Sequence, residues 1–421
     1  MSTTSGTCRR ERGVALVMVM WVVIIAGLML LGVLKVSRTN RALVHEGFAA
    51  VEAHWLARAG VEQAMAVLED DDRSVDNTLE DWYQNAWIFD MVQLGSGWFA
   101  VRSAADGERA GLDDESGRIN LNIADKKQLT ELKTLDDTQI DSLIDWRSSG
   151  DTPSGNGAKA GYYQHLRFPY EMRGREFQTH RELLLVRGFE DRSFFGRPGP
   201  SLAPGGAAAQ TTIYSYQANR DPNGLPRVNI NQATAQTLQE RFNFTGQLAQ
   251  AVVQQRSRQP FQRLSALLDV RPQQGADPSS PRGSSSGGGT PVAQTTLEWL
   301  GAHVDEIAVN DDTRLPGKIN INTAPREVLM TLPGMTGEFA DRVVEQRASA
   351  DGAFKTLADL LDRRVLSQDV FRGLFEQITV RSDVFTVESL GVSGSGIQRR
   401  ILAVIDRGSD PARILYWYQT P

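Results

Sequence analysis

The apolar pattern of the chain begins with an uncharged run, Val14–Leu34, which has the length of about 20 residues that a helix needs to cross a bilayer. Beyond it, apolar residues such as Phe48 and Trp55 recur at roughly helical spacing. The acidic residues 69–72 are unfavourable in the last turn of a helix, so the helix is predicted to end near Asp70. The pattern predicts one long helix that first spans a membrane and then continues as an amphipathic stem.

A second pattern, in which apolar and polar residues alternate, predicts strands. Gly97–Ser103 alternates and is rich in aromatic and β-branched residues. Val384–Leu390 and Gln398–Asp406 flank a glycine-dense segment, which favours a hairpin, and a final strand is predicted at Arg413–Gln419. Because an isolated two-stranded ribbon is only marginally stable, these segments are expected to meet in one small antiparallel sheet packed on the stem.

The chain between the first strand and the hairpin is therefore expected to be an insertion. The predicted organisation is an N-terminal segment at 1–13, a membrane helix at 14–34, a stem helix and loop at 35–95, a sheet formed by 96–117 with 381–421, and an inserted helical domain at 118–380. The predicted fold class is α+β, with a long N-terminal helix on a small antiparallel sheet and a large inserted α-helical domain.

One sequence pattern occurs three times in the insertion, in copies that begin near residues 118, 227 and 318. The copies are Arg118-Ile-Asn-Leu-Asn-Ile-Ala124, Arg227-Val-Asn-Ile-Asn-Gln-Ala233 and Lys318-Ile-Asn-Ile-Asn-Thr-Ala324. Helical segments follow each copy, whereas residues 271–290 form a Ser/Gly-rich linker with too little apolar surface to order itself. Asn122, Asn231 and Asn322 are predicted to be helix N-caps, because an asparagine oxygen can accept first-turn amides.

Composition and charge narrow the function classes. The formal net charge is −6, which argues against a nucleic-acid partner because phosphate contacts usually require a basic surface. The single cysteine, Cys8, precedes the apolar run and permits no internal disulfide. The five histidines form no metal-spaced cluster in the sequence, and no nucleophile-elbow, Walker or Rossmann signature occurs in a plausible context. The sequence predicts a protein that is not an enzyme.

One acidic segment is a candidate cation site. Asp70, Asp71 and Asp72 with Asp76 could supply the hard oxygen ligands that calcium prefers. The alternative is a solvated acidic turn, and the same two interpretations apply to residues 113–115. Calcium is the one candidate cofactor, and otherwise none is expected.

The N-terminus resembles the class III signal sequences of type IV pilins and pseudopilins, in which a short basic leader ends in glycine directly before the apolar helix. The resemblance implies that prepilin peptidase cuts between Gly13 and Val14. Most pilins carry glutamate at the fifth mature position, where this chain has Met18. A missing glutamate is the pattern of the minor pseudopilin K family of type II secretion. A carboxylate in lipid needs a partner, so Met18 is interpreted as the mark of a subunit with nothing above it.

The insertion extends this resemblance, since the family interrupts a pilin-like sheet with a helical domain that opens with an acidic-Ser-x-x-Asn-x-Asn segment, as Asp113–Asn122 does here. The resemblance implies a pilin-like fold and a place at the tip of the type II secretion pseudopilus, where the protein helps to start and cap the fibre. It implies minor pseudopilins I and J as partners. It also implies a single-pass inner-membrane protein with its C-terminal bulk in the periplasm.

The third repeat, Leu332–Arg347, resembles a helix-hairpin-helix motif, in which a glycine turn aims backbone N–H groups at a DNA phosphate. Here Gly334 and Gly337 are three apart, and Thr336 occupies the expected place of the second glycine. Residues 325–364 hold six Lys/Arg against seven Asp/Glu, so the hairpin is expected to persist without nucleic-acid binding. Two alternatives stay open: a membrane-anchored helix-hairpin-helix DNA-binding protein of the competence type, and a generic anchored scaffold that keeps its first 13 residues.

Overall fold

A computed structural model describes residues 11–105, 107–190, 206–272, 291–350 and 352–419, with the backbone alone described at 11–13. Its α-helices are α1 (Glu11–Asp70), α2 (Ala86–Phe89), α3 (Lys126–Glu131), α4 (Asp137–Arg147), α5 (Ala160–Gln164), α6 (Ala235–Phe242), α7 (Gly246–Arg258), α8 (Leu297–His303), α9 (Arg326–Leu329), α10 (Gly337–Arg347), α11 (Asp359–Asp362) and α12 (Gln368–Leu374). Short 3-10 helices cover Glu115–Gly117, His180–Leu185, Gly206–Gln210 and Leu264–Asp269.

The strands of the same residues are short in the insertion and long at the end of the chain. They are β1 (Val92–Leu94), β2 (Gly97–Arg102), β3 (Asp113–Asp114), β4 (Ile119–Asn120), β5 (Thr211–Thr212), β6 (Tyr216–Ala218), β7 (Val228–Asn229), β8 (Ile307–Ala308), β9 (Arg314–Pro316), β10 (Ile319–Asn320), β11 (Ile378–Thr379), β12 (Val384–Val392), β13 (Gln398–Asp406) and β14 (Arg413–Gln419).

Helix α1 is continuous over 60 residues and therefore about 90 Å long. It ends at Asp70, where the acidic run predicted its end. The apolar segment in its N-terminal part is not buried, and the helix is long and apolar enough to cross a membrane. The first ten residues of the predicted leader lie outside the described residues.

The main sheet has the strand order β1-β2-β12-β13-β14, and the short strand β3 also pairs with β12. All of these pairings are antiparallel. The strands predicted from alternation are confirmed: β13 and β14 begin and end at the predicted residues, and β12 extends to Val392. Strand β1 was not predicted, because three residues are too few to show alternation.

The stem part of α1 packs on this sheet through small residues. Ala53 and Ala57 are fully buried in the contact. A Cβ atom on Gly60 would lie 2.2 Å from the Ser389 hydroxyl oxygen, and one on Gly391 would lie 2.0 Å from the Ala53 carbonyl oxygen. Glycine is therefore required on both sides of the contact, and helix and sheet approach closely over a common apolar core. The predicted α+β fold class is confirmed.

The insertion consists of three modules: module one (residues 118–215), module two (residues 227–309) and module three (residues 318–380). Each module opens with a two-residue strand and closes with a two-residue strand that pairs with it in parallel. The pairs are β4 with β5, β7 with β8, and β10 with β11. Buried side chains from all three modules form a single apolar core, so the modules make one packed unit.

Candidate functional site

The face of α1 that points away from the sheet carries an apolar stripe, which we call the stem stripe: Val44, Phe48, Val51 and Trp55. Their side chains are 57%, 72%, 55% and 56% exposed. Spacings of four, three and four residues are those of a coiled-coil seam, and at 100° per residue they lie opposite the buried Ala53. The stem stripe continues the apolar surface of the membrane span, so the two together form one long face suited to a parallel helix.

The predicted processing and tip residues lie at the start of α1. Val14 is 57% exposed and Met18 is 64% exposed, both on the uncovered surface of the span. The leader up to Arg10 lies outside the described residues. Cleavage between Gly13 and Val14, and the meaning of Met18 as a tip marker, therefore stay predictions.

The N-cap role predicted for Asn122, Asn231 and Asn322 is wrong. The side chains of Asp125 and Thr234 cap α3 and α6, and α9 begins after Pro325, which has no side-chain cap bond. Each asparagine lies three residues before the observed cap position, in the turn between the opening strand and the helix. Asparagine does favour N-cap positions, but these helices begin three residues later than predicted.

Each of these asparagines instead binds the backbone of a distant phenylalanine in both directions, an arrangement we call the asparagine clamp. The Asn322 side-chain oxygen accepts the Phe354 N–H at 2.9 Å, and its side-chain nitrogen donates to the Phe354 carbonyl at 2.9 Å. The corresponding distances are 2.7 and 3.1 Å between Asn122 and Phe177, and 2.8 and 2.8 Å between Asn231 and Phe261. Through these two bonds, the side-chain amide pairs with the phenylalanine backbone as a residue of a neighbouring strand would.

An arginine completes the turn in every module. Arg347 donates from one nitrogen to the carbonyl oxygens of Ile321 and Ala324, both at 2.8 Å. Arg256 contacts the equivalent carbonyls of module two at 2.8 and 2.6 Å, and Arg147 does so in module one. The threefold sequence pattern therefore satisfies buried backbone groups, which explains the repeat without a ligand.

A partly buried acidic cluster, the acidic junction, lies where the stem, the sheet and the insertion meet. Of the four predicted calcium ligands it contains Asp71 and Asp76, joined by Glu80, with ligand oxygens within 4.8 Å of one another. Asp70 and Asp72 are not members of this group. Asp72 is exposed and accepts the N–H of Ser74 at 2.9 Å instead.

The acidic junction has its own cation. Arg407 donates to Asp71 at 2.7 Å and to Asp76 at 2.6 and 2.8 Å, and Asp76 also accepts the Ser382 N–H at 2.7 Å. Burial raises the pKa of Asp76, against the lowering effect of Arg407. Burial also raises the pKa of Glu80 to about 7. The oxygens suit calcium, but a guanidinium already compensates two of the three carboxylates, so calcium binding stays a prediction.

The acidic residues 113–115 are buried, and the expectation of a solvated turn is wrong for them. Arg118 pairs with Asp113 at 3.2 Å and with Glu115 at 2.6 Å. Asp114 accepts hydrogen bonds from Ser382 at 2.7 Å and from Thr323 at 2.5 Å. These contacts tie the start of the insertion to module three and to its exit.

The hairpin of module three faces module one. Gly334 has a φ of +75°, and Thr336 caps α10 by accepting the Phe339 N–H at 3.3 Å. A cleft of about 220 Å³ separates the hairpin from α3 and is lined there by Asp125 and Glu131. Lys127 is the one basic residue among the described residues that line it. Two carboxylates facing the turn would repel a phosphate, which fits the expectation that this hairpin does not bind nucleic acid.

A long N-terminal helix whose stem packs on an antiparallel sheet, with a helical unit inserted before the closing hairpin, is a pilin-like fold with an inserted domain. Residues 117–194 match the family model described as type II secretion system, protein K. Residues 316–379 match the model of the helix-hairpin-helix motif. The resemblance to the type II secretion protein K family is thus confirmed over the first of these segments, and the resemblance of the third repeat to a helix-hairpin-helix over the second.

A chain of the crystal structure of the GspK-GspI-GspJ complex from the enterotoxigenic Escherichia coli type 2 secretion system is similar to this chain. The identity is 12%, the similarity covers 91% of this chain and 99% of that chain, and the TM-score is 0.48. A comparison with curated proteins gives no match.

Proposed function

We propose that the chain is a minor pseudopilin at the tip of the type II secretion pseudopilus, where it helps to start and cap the fibre without catalysing a reaction. The observation that supports this most is the match of residues 117–194 to the protein K model, in a chain with one N-terminal helix apolar enough to cross a membrane. The protein is held in the inner membrane before assembly, with its sheet and insertion in the periplasm. Prepilin peptidase cuts between Gly13 and Val14.

The stem stripe is the surface through which the helix joins its neighbours, minor pseudopilins I and J. Burial of a Val or Phe side chain contributes about 1.5–3 kcal/mol, so covering Val44, Phe48, Val51 and Trp55 favours assembly once a neighbouring helix leaves the lipid alongside α1. A heptad seam that continues a membrane span accepts a parallel helix.

N-terminal sequencing of the protein extracted from membranes tests the processing step. We expect Val14 as the first residue in the wild type, and an uncut leader in Gly13→Leu. Intact Met1 on the wild-type protein would contradict the proposal and would favour a generic anchored scaffold.

A lysine substitution in the stem stripe tests the docking surface. Phe48→Lys is expected to abolish co-purification with minor pseudopilins I and J from detergent extracts. The matched control is Ala66→Lys, which adds the same charge to the same side of α1 beyond the stem stripe, at another exposed position. Equal recovery of the partners with both variants would count against docking through this face.

A second candidate function is DNA binding by an anchored competence-type receptor, and the helix-hairpin-helix match over residues 316–379 is the observation that favours it. That function predicts duplex binding by the full chain that weakens steeply with salt. Asp125 and Glu131 across from the hairpin argue for the opposite result. A gel shift at low salt separates the two candidates.

A further inference from the structure

Each module contains a six-residue segment that begins with phenylalanine, and the last residue of this segment differs among the three modules. In module three, Phe354-Lys-Thr-Leu-Ala-Asp359, the carboxylate accepts the Lys355 N–H at 2.7 Å and the Thr356 N–H at 3.4 Å. In module one, Phe177-Gln-Thr-His-Arg-Glu182, the carboxylate accepts the equivalent Gln178 N–H at 3.0 Å. Modules one and three thus each bind an internal carboxylate at the same place.

Module two lacks this carboxylate. Its segment is Phe261-Gln-Arg-Leu-Ser-Ala266, so a methyl group stands where the other modules have an acid. Gln262 and Arg263 occupy the positions of Lys355 and Thr356. A cleft of about 400 Å³ opens at this point, and Gln262, Arg263 and Ala266 are part of its lining. The sister modules show that this backbone binds a carboxylate, and the residues that the structure describes leave the space for one open here.

The charged side chains around the cleft favour the binding of an anion. Arg263 and Arg372 line the cleft and are exposed. Among the described residues that line it, Asp269, 3.7 Å from Arg372, is the one acidic residue. Glu376 of module three is close by, where its carboxylate accepts the Ser265 N–H at 2.7 Å. Residues 227–271 hold six arginines and two acidic residues, in a chain whose net charge is −6. The first part of module two, residues 227–271, is therefore a locally basic segment of an acidic protein.

We propose that the module-two cleft binds a carboxylate of an acidic peptide segment from a partner protein. The bound carboxylate takes the place of Asp359 or Glu182 in the sister modules, and Arg263 and Arg372 hold it by charge-assisted hydrogen bonds. Gln255, Gln259 and Gln262 line the same cleft and offer amides for the backbone of the segment. The site does not depend on the proposed place of the chain in a fibre.

Titration of a fluorescent, end-blocked pentapeptide of alternating glycine and glutamate into the full chain in nanodiscs tests the proposal. We expect binding by the wild type and at least about tenfold weaker binding by Arg263→Gln and by Arg372→Gln, since each removes a charge-assisted hydrogen bond. Ala266→Asp should abolish binding, because it restores the internal carboxylate of module three and fills the site.

The controls isolate the carboxylate and the cleft. Gln254→Glu adds the same negative charge on an exposed position of α7 that does not line the cleft, and it should bind the peptide like the wild type. The glutamine version of the peptide should not bind. Undiminished binding by Ala266→Asp, equal binding of the two peptides, or no binding by the wild type at millimolar peptide would each overturn the proposal. Failure here leaves N-terminal processing and the stem stripe untouched.

Discussion

The stem with its sheet and the insertion satisfy their backbone groups in different ways. In the first region α1 runs over 60 residues and β12 pairs with β13 over nine positions, so most N–H and C=O groups bond within long elements. In the insertion the longest described helix is α7 with 13 residues, and the strand pairs that close the modules have two residues each. Every helix leaves four N–H and four C=O groups at its ends, so short elements leave more groups to satisfy.

The insertion satisfies these backbone groups with polar side chains that recur at equivalent positions in its modules. An asparagine clamp and an arginine recur in all three, and each bonds to the backbone of a residue that lies far away in sequence. The difference implies that stability is spread over many equivalent bonds in the sheet, but is concentrated in a few polar side chains in the insertion. Each of the following variants tests that contrast.

Asn322→Ala is expected to have the largest effect. It leaves the buried N–H and C=O of Phe354 without partners, at a cost of about 3 kcal/mol in the free energy of unfolding. Hydrogen exchange at the Phe354 amide gives a local measurement, and protection there should fall with the global stability. Asn310→Ala, at an exposed asparagine, should stay within about 0.5 kcal/mol of the wild type.

The matched change in the sheet is Ser389→Ala. Ser389 is fully buried in β12, and among the described residues its hydroxyl oxygen has no hydrogen-bond partner. Removing it should be neutral or slightly stabilising, because no bond is lost and a buried polar group disappears. A loss for Ser389→Ala as large as that for Asn322→Ala would break the contrast between the two regions.

Arg347→Met should cost about 2 kcal/mol, because the two carbonyl oxygens of Ile321 and Ala324 lose a charged donor while the apolar part of the side chain is kept. Arg342→Met is the control, since Arg342 pairs with Glu338 on the exposed surface of α10, where such pairs contribute about 0.5 kcal/mol or less. Chemical denaturation of both variants compares them. Equal midpoints would show that the arginine of the repeat is not structural.

The accuracy of the predictions from sequence differs between the same two regions. Strands β13 and β14 were predicted to the residue, because seven or nine alternating positions carry a clear local signal. The strand Thr211–Thr212 is too short to carry one. The asparagine clamp was missed because its partner is 32 residues away from Asn322 and no local pattern distinguishes a clamp from a cap. Burial of Asp114 depends on Ser382, which is 268 residues distant.

Asp359→Ala should lower stability by about 1 kcal/mol, since the amides of Lys355 and Thr356 lose their acceptor but remain near solvent. Ala266→Asp should raise it by a similar amount by adding that acceptor to module two. The two variants compare two modules of the insertion directly, because one removes the carboxylate from module three and the other adds it to module two. Thermal melts of the two single variants measure it, and shifts of the same sign would contradict the equivalence of the modules.

The last expected effect depends on pH and concerns the loop between stem and sheet. Burial raises the pKa of Glu80 from 4.5 to about 7 while its carboxylate accepts hydrogen bonds from Asn77 and Trp82. The folded state therefore holds the proton more tightly than the unfolded state. The stabilisation is complete below the unfolded pKa and is lost as pH rises through about 7.

Glu80→Gln is neutral at every pH and separates this group from Asp71, Asp76 and Asp114, whose pKa values burial also raises. The wild type should lose stability relative to Glu80→Gln between about pH 5 and pH 8, and the difference between their melting temperatures measures that loss. A constant difference would mean that the Glu80 carboxyl is ionised throughout. The acidic junction would then couple stem, sheet and insertion without sensing pH at this residue.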